Sequence, residues 1–227
     1  MGVTVIICAG APHPALELIP TYLDSADQVY FIGVDRGAYH LMQQGYPVDW
    51  AIGDFDSVTA SEYEELQAYC QQIERVSSHK DDTDLELALA YVSQMPNMTA
   101  CYIFGALGSS GGRLDHLILN LWLAHQPRFS SLIPRCLMIE SDTVVQFFNP
   151  GVYQIQPGTN PQYLSIITMS PVKGLKIKQA VYNLSPTDLD YPKAYISNEF
   201  IDTSTPIQLE FHSGMVCVMW VKECEKC

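Results

Sequence analysis

Through the first 140 residues, short apolar runs rich in β-branched residues alternate with helical patterns, and beyond that point the helical patterns stop. Val3–Cys8, Gln28–Val34, Trp50–Ile52, Cys101–Phe104 and Cys136–Ile139 read as strands. The first four end on turn signals: Ala9-Gly10, Asp35-Arg36-Gly37, Gly53-Asp54 and Gly105. Between them, Ala38–Gln44 closes on Gly45, which fits a helix C-terminus. Ala60–Cys70 reads as a polar helix. Thr83–Met95 places Leu85, Ala88, Leu89 and Val92 at helical spacing, and Leu114, Leu117, Ile118 and Leu121 repeat that stripe. Strands alternating with helices predict a parallel sheet covered on both faces. We therefore expect an α/β domain over residues 1–140, with a mostly parallel, Rossmann-like sheet.

The remainder, residues 141–227, is punctuated by Asn149-Pro150-Gly151, Pro157-Gly158, Ser170-Pro171, Lys173-Gly174, Ser185-Pro186 and Ser213-Gly214. Val216, Val218 and Trp220 alternate with Cys217 and Met219, as in a strand buried on both faces. Short strands and frequent turns predict an all-β sandwich domain.

Charge narrows the partners. Twenty-five acidic residues against 12 basic ones leave a formal net charge of -13, without a Lys/Arg cluster. Such a chain is repelled by phosphate backbones, so a nucleic-acid partner is not expected. No apolar run approaches the ~18 residues of a membrane span. Seven scattered cysteines argue against a disulfide framework and for the cytoplasm. Cys224 and Cys227 form a C-x-x-C without a second ligand pair, and His13, His40, His79, His125 and His212 show no ligand spacing.

Polar residues gather where the predicted strands end, the place where open parallel sheets bind ligands. In Gly53-Asp54-Phe55-Asp56-Ser57, residues two apart in an extended chain face the same way, so Asp54 and Asp56 can meet one metal ion. Mg²⁺ suits one or two carboxylates with phosphate oxygens and water. A polar turn is the plainer alternative. In Lys80-Asp81-Asp82-Thr83-Asp84-Leu85-Glu86, Thr83 and Glu86 form a capping box that starts a helix. The box does not account for three Asp within four residues, which repel unless a cation or donors neutralise them. Residues 105–116 put four glycines between a strand and a helix, followed by Arg113, Asp115 and His116. Such a loop lets amides approach an anion at a helix N-terminus, and Arg113 offers a fork for phosphate. Neither standard nucleotide-binding glycine motif is matched. Asp35-Arg36-Gly37 is the fourth and weakest segment.

Together these segments resemble the thiamine pyrophosphokinase family, in its order and near its spacing. The resemblance rests on Asp35-Arg36-Gly37-Ala38, Gly53-Asp54-Phe55-Asp56-Ser57, Asp81-Asp82-Thr83-Asp84 and Gly111-Gly112-Arg113-Leu114-Asp115-His116. Ile196-Ser197-Asn198-Glu199-Phe200 is similar to the family's thiamine-contact segment. The glycine loop is about three residues longer than the family's, through Gly108-Ser109-Ser110. The resemblance implies an ATP- and Mg²⁺-binding catalytic domain, a thiamine-binding sandwich and a homodimer with thiamine between subunits. It implies Asp54, Asp56 and Asp84 on Mg²⁺, and Asp35, Lys80, Asp81, Thr83, Gly112, Arg113, Asp115 and His116 along the nucleotide and its phosphates. Ser197, Asn198 and Phe200 would meet thiamine. The implied reaction is in-line attack of the thiamine hydroxyl on the β-phosphorus of ATP, releasing AMP, with Asp84 or Asp115 taking the proton. The competing readings are a pyrophosphokinase for another alcohol such as a pterin, which would lack the thiamine-type second domain, a non-catalytic nucleotide sensor, and a metal-dependent phosphohydrolase.

Overall fold

A computed structural model describes residues 2–24, 28–77, 79, 81–108, 111–158 and 163–222. Two compact units divide it, Met1–Ser141 and Asp142–Cys227.

In the first unit, β1 (Val3–Cys8), β2 (Gln28–Val34), β3 (Trp50–Gly53), β4 (Gln72–Arg75), β5 (Met98–Phe104) and β6 (Cys136–Ile139) pair in parallel. Their order is β6-β5-β1-β2-β3-β4. Val5, Ile6, Ile7 and Cys8 are each 0% exposed, so β1 is covered on both faces. The covering helices include α1 (Ile19–Tyr22), α2 (Arg36–Gln43), α3 (Ala60–Tyr69), α4 (Asp84–Ser93) and α5 (Leu114–Trp122). The chain lays β1 to β4 outward in one direction, then returns to set β5 on the other side of β1. Neighbouring strands thus send their following loops apart at the carboxyl ends of β1 and β5, opening a crevice there.

Two elements differ from the sequence expectation. The strand β4 is polar and largely exposed, because it pairs only with β3 at the sheet edge and buries little; no apolar run announces it. The stripe on α5 does not face the core: Leu114 and Ile118 are exposed, as is Trp122, and the buried residue of that helix is Asn120.

The second unit contains β7 (Thr143–Phe148), β8 (Gly151–Ile155), β9 (Tyr163–Thr168), β10 (Val172–Lys178), β11 (Leu184–Leu189), β12 (Ala194–Asn198), β13 (Ile207–Phe211) and β14 (Val216–Val221). One antiparallel sheet runs β12-β9-β14-β7 and the other β11-β10-β13-β8. Leu164, Ile166, Val216 and Val218 from the first pack with Leu175, Ile177, Leu209 and Phe211 from the second in one core. This is the sandwich that the alternating pattern predicts. No helix among the described residues is long and apolar enough to cross a membrane. Cys224 and Cys227 lie outside the described residues.

Candidate active site

A cleft of about 530 Å³ opens at the carboxyl ends of the parallel strands. Its walls come from the segments after β1, β2, β3 and β5 and from the start of α4. That size suits a nucleotide-sized ligand.

Asp35, Asp54 and Asp84 bring carboxylate oxygens within 4.8 Å of one another, all three half-buried. Asp35 follows β2, Asp54 follows β3, and β2 and β3 are paired neighbours, so the sheet itself sets these two side by side. Gly53 makes room: a Cβ there would stand 2.0 Å from Asp35 Oδ1. Asp84 arrives as the first residue of α4, capped by Thr83. The Thr83 side chain accepts from the Glu86 amide, and Glu86 Oε2 accepts from the Thr83 amide at 2.8 Å. The capping box therefore fixes where Asp84 begins the helix.

Three carboxylates this close repel. Burial, then contact with Asp84, pushes the Asp35 carboxyl up from 3.8 to about 7, against the Phe55 amide that donates to its Oδ1 at 3.1 Å. A hard divalent cation relieves that repulsion, and an all-oxygen donor set suits Mg²⁺. The donor set fits the ion.

Asp56 stands apart from this trio, contrary to the extended-chain expectation. Phe55 adopts φ 58, which turns the chain, and the Asp56 amide donates back to Asp54 Oδ1 at 3.1 Å. Alternation holds only along an extended strand, and β3 ends at Gly53. Asp56 is exposed but still lines the cleft. The loop is pinned by Arg36, which donates to Ser57 O at 2.9 Å and to both oxygens of Glu62 at 3.1 and 3.0 Å. Arg36 thus serves the loop, and Glu62, unremarkable in the sequence, is its partner.

Asp81, Thr83, Gly112, Arg113 and His116 line the cleft. Asp115 is absent from that lining. Its carboxylate receives Arg113 Nε at 3.1 Å and Nη2 at 2.5 Å, and the pair is largely exposed. The Arg113 guanidinium holds the Asp115 carboxyl below its ordinary range. Lys80, Ser109 and Ser110 lie outside the described residues.

The glycine loop is less open to an anion than its composition suggests. The amides of Leu107 and Gly108 donate to Glu140 Oε1 at 2.9 and 3.0 Å, and Gly112 N donates to Gly108 O at 2.9 Å. Asn120 Nδ2 holds Ala106 O at 2.6 Å. Glu140 and Asn120 are both buried. Glu140 lies more than 30 residues beyond the loop and Asn120 on the helix that follows it, and no local signal marks either as its brace.

In the second unit, Ser197, Asn198 and Phe200 occupy the end of β12 and the segment after it. Asn198 is buried and clamps Tyr182: its Oδ1 accepts from Tyr182 N at 3.0 Å and its Nδ2 donates to Tyr182 O at 2.8 Å. Oδ1 also accepts the Glu199 amide at 2.9 Å. Its amide group thus keeps one N–H uncommitted to these bonds. Ser197 is exposed at φ 58, and Phe200 is half-buried against the sandwich core. Tyr182, Ile196 and Ile201 are exposed nearby in sequence and pairing.

The chain matches the family described as "Thiamin pyrophosphokinase, catalytic domain" over residues 21–133, and "Thiamin pyrophosphokinase, vitamin B1 binding domain" over residues 152–216. It is 30% identical over 191 residues to a Bacillus subtilis protein named thiamine pyrophosphokinase, covering 83% of this chain and 81% of that one. A crystal structure of a thiamin pyrophosphokinase family protein from Enterococcus faecalis superposes with TM-score 0.85 at 32% identity, covering 97% of this chain and 100% of the other. The crystal structure of the Bacillus subtilis thiamine pyrophosphokinase gives 0.81 at 27% identity, with 97% and 100% covered.

Proposed function

The chain belongs to the thiamine pyrophosphokinase family, and from that we propose that it transfers a pyrophosphoryl group from ATP to the hydroxyl of thiamine at the carboxylate-lined cleft. The observation that carries the placement is the meeting of Asp35, Asp54 and Asp84 in a nucleotide-sized crevice at the strand ends.

In this reading the first unit binds ATP and Mg²⁺, and its strand order, reversing at β1, supports the Rossmann-like label. Asp35, Asp54 and Asp84 would hold Mg²⁺, and Asp56 serves the cleft wall. Bound there, Mg²⁺ supplies neutralisation of phosphate charge and polarises phosphoryl oxygens. Arg113 and His116 line the phosphate side of the cleft. The chain's own task is positioning, because such transfers need alignment and charge balance more than covalent help. The thiamine hydroxyl attacks the β-phosphorus and AMP leaves. Of the two candidate bases, Asp84 lines the cleft, whereas Asp115 is tied to Arg113 outside the lining; we assign the hydroxyl proton to a carboxylate oxygen of Asp84.

Thiamine recognition falls to the second unit. Ser197 and Phe200 are the ring contacts, and Asn198 shapes that surface by holding Tyr182. A homodimer is supported by the uncovered row Leu114, Ile118 and Trp122 on α5, at i, i+4 and i+8, with Trp122 62% exposed. Cytoplasmic residence is supported by the free thiols of Cys8, Cys70, Cys101, Cys136 and Cys217. Mass spectrometry of a reaction containing ATP, Mg²⁺ and thiamine tests the reading. AMP and thiamine pyrophosphate in equal amounts are expected; ADP with thiamine monophosphate would exclude pyrophosphoryl transfer.

A further inference from the structure

The start of α4 is gripped from a distant part of the chain. Arg128, in the turn Pro127–Phe129, sets Nη1 2.6 Å and Nη2 2.8 Å from the two oxygens of Asp82. The same Nη2 lies 3.1 Å from Glu86 Oε1, which also receives Gln126 Nε2 at 2.5 Å. Glu86 Oε2 closes the capping box on Thr83, accepting its amide and its hydroxyl at 2.8 Å each. Residues 82, 83 and 86 are therefore tied, directly or through Glu86, to residues 126–128. Asp84 sits inside that frame, the only acidic residue between Asp81 and Glu86 that joins the trio with Asp35 and Asp54 among the described residues.

The frame has two consequences. A bidentate guanidinium fixes a carboxylate in direction as well as place. Asp82, two residues from Asp84, is held by that fork and does not belong to the trio, although it lines the cleft. The grip on Glu86 also keeps its oxygens from the cleft, because Glu86 is buried and both its oxygens carry donors.

We propose that Arg128 is a positioning residue for the cation site: it anchors Asp82 and Glu86 so that Asp84 alone of this segment meets Asp35 and Asp54. The proposal rests on the reading that the trio binds Mg²⁺. Its sign separates it from simple electrostatics. Removing a cation near a carboxylate cluster strengthens the cluster's attraction for another cation. Releasing the frame misplaces a ligand and weakens binding. Groups that orient metal ligands typically account for ten- to a hundredfold in affinity.

The test measures Mn²⁺ binding to the full chain without nucleotide, from the electron paramagnetic resonance signal of free Mn²⁺. Wild type is compared with Arg128→Gln and Arg128→Lys, with folding checked by circular dichroism. The expected result is a Kd raised about tenfold in Arg128→Gln, with Arg128→Lys between it and wild type, since the charge survives and the fork does not. A folded Arg128→Gln with wild-type or tighter Kd overturns the proposal. Should that variant not fold, Arg128→Lys decides by the same criterion, because it leaves the net charge unchanged. Wild type that fails to bind Mn²⁺ overturns both the trio reading and this proposal. Wild type that binds Mn²⁺ and yields AMP, alongside Arg128 variants of unchanged Kd, overturns this proposal alone.

Discussion

Replacing Asp35 by Asn should make the metal-free protein more stable at pH 8 while removing its response to Mg²⁺ and ATP. In the folded chain the Asp35 carboxyl is raised from 3.8 to about 7, by burial first and then by Asp84. Unfolded, it ionises near the ordinary value. Between those two values the folded protein retains a proton that the unfolded chain has lost. Stability from this group therefore falls as pH rises from about 4 to about 7, and the full penalty applies above that. At 1.36 kcal/mol per pH unit the ceiling is about 4 kcal/mol. The carboxyl is half-buried and opens on the cleft, so solvent screening reduces the expected gain to ~1–2 kcal/mol. That corresponds to roughly 2–4 °C in Tm for each kcal/mol. Asn is the suitable replacement. Its Oδ1 keeps the acceptor for the Phe55 amide, 3.1 Å away in the wild type, and its N–H₂ offers a donor to Asp84. Asn also tolerates the φ of 49 at this position better than most residues. Calorimetry in EDTA at pH 4 and pH 8 reads the effect. A higher Tm for Asp35→Asn is expected at pH 8 and no difference at pH 4, with the wild-type rise on adding Mg²⁺ and ATP absent in the variant. An equal or lower Tm at pH 8, or the same gain at both pH values, would refute the reasoning.

Asp54→Asn and Asp84→Asn should each lower kcat by orders of magnitude, and Asp56→Asn much less, because Asp56 stands outside the trio; equal losses at all three positions in steady-state assays would return Asp56 to the metal. Glu140→Ala strands the amides of Leu107 and Gly108 and should cost ~1–3 kcal/mol in urea unfolding. It should also raise the KM for ATP more than that for thiamine, and a proportionate rise in both would detach the brace from nucleotide binding. Asn198→Ala, which frees both backbone groups of Tyr182, should cost a similar ~1–3 kcal/mol, and unchanged stability would show that the clamp is dispensable. Trp122→Asp should leave the fold intact and shift sedimentation toward the monomer; a variant that sediments like wild type would rule out the α5 face as the contact between subunits.

Short-range physics decided what the sequence reveals by itself. The strands β1, β2 and β6 are read to the residue because buried parallel strands need continuous apolar runs. The start of α4 is legible because a capping box spans four consecutive positions, and Gly45 marks the end of α2 because the chain there takes φ 75. The acidic segments are likewise visible as local crowding. Tertiary structure decided which of those charges meet. Asp35 joins Asp54 because β2 and β3 are neighbours, a consequence of strand order that no local pattern carries. Asp56 leaves the group through one backbone turn at Phe55, and Asp115 is claimed by Arg113. Glu140, Asn120 and Arg128 act on segments 14 to 46 residues away in the chain. A single buried side chain such as Glu140 or Asn120, or a lone exposed guanidinium such as Arg128, has no periodicity and no neighbouring motif. Its partner is chosen by how strands and helices stack, and the physical reason lies in desolvation: a polar group enclosed by that stacking must find a donor or acceptor wherever the fold has put one.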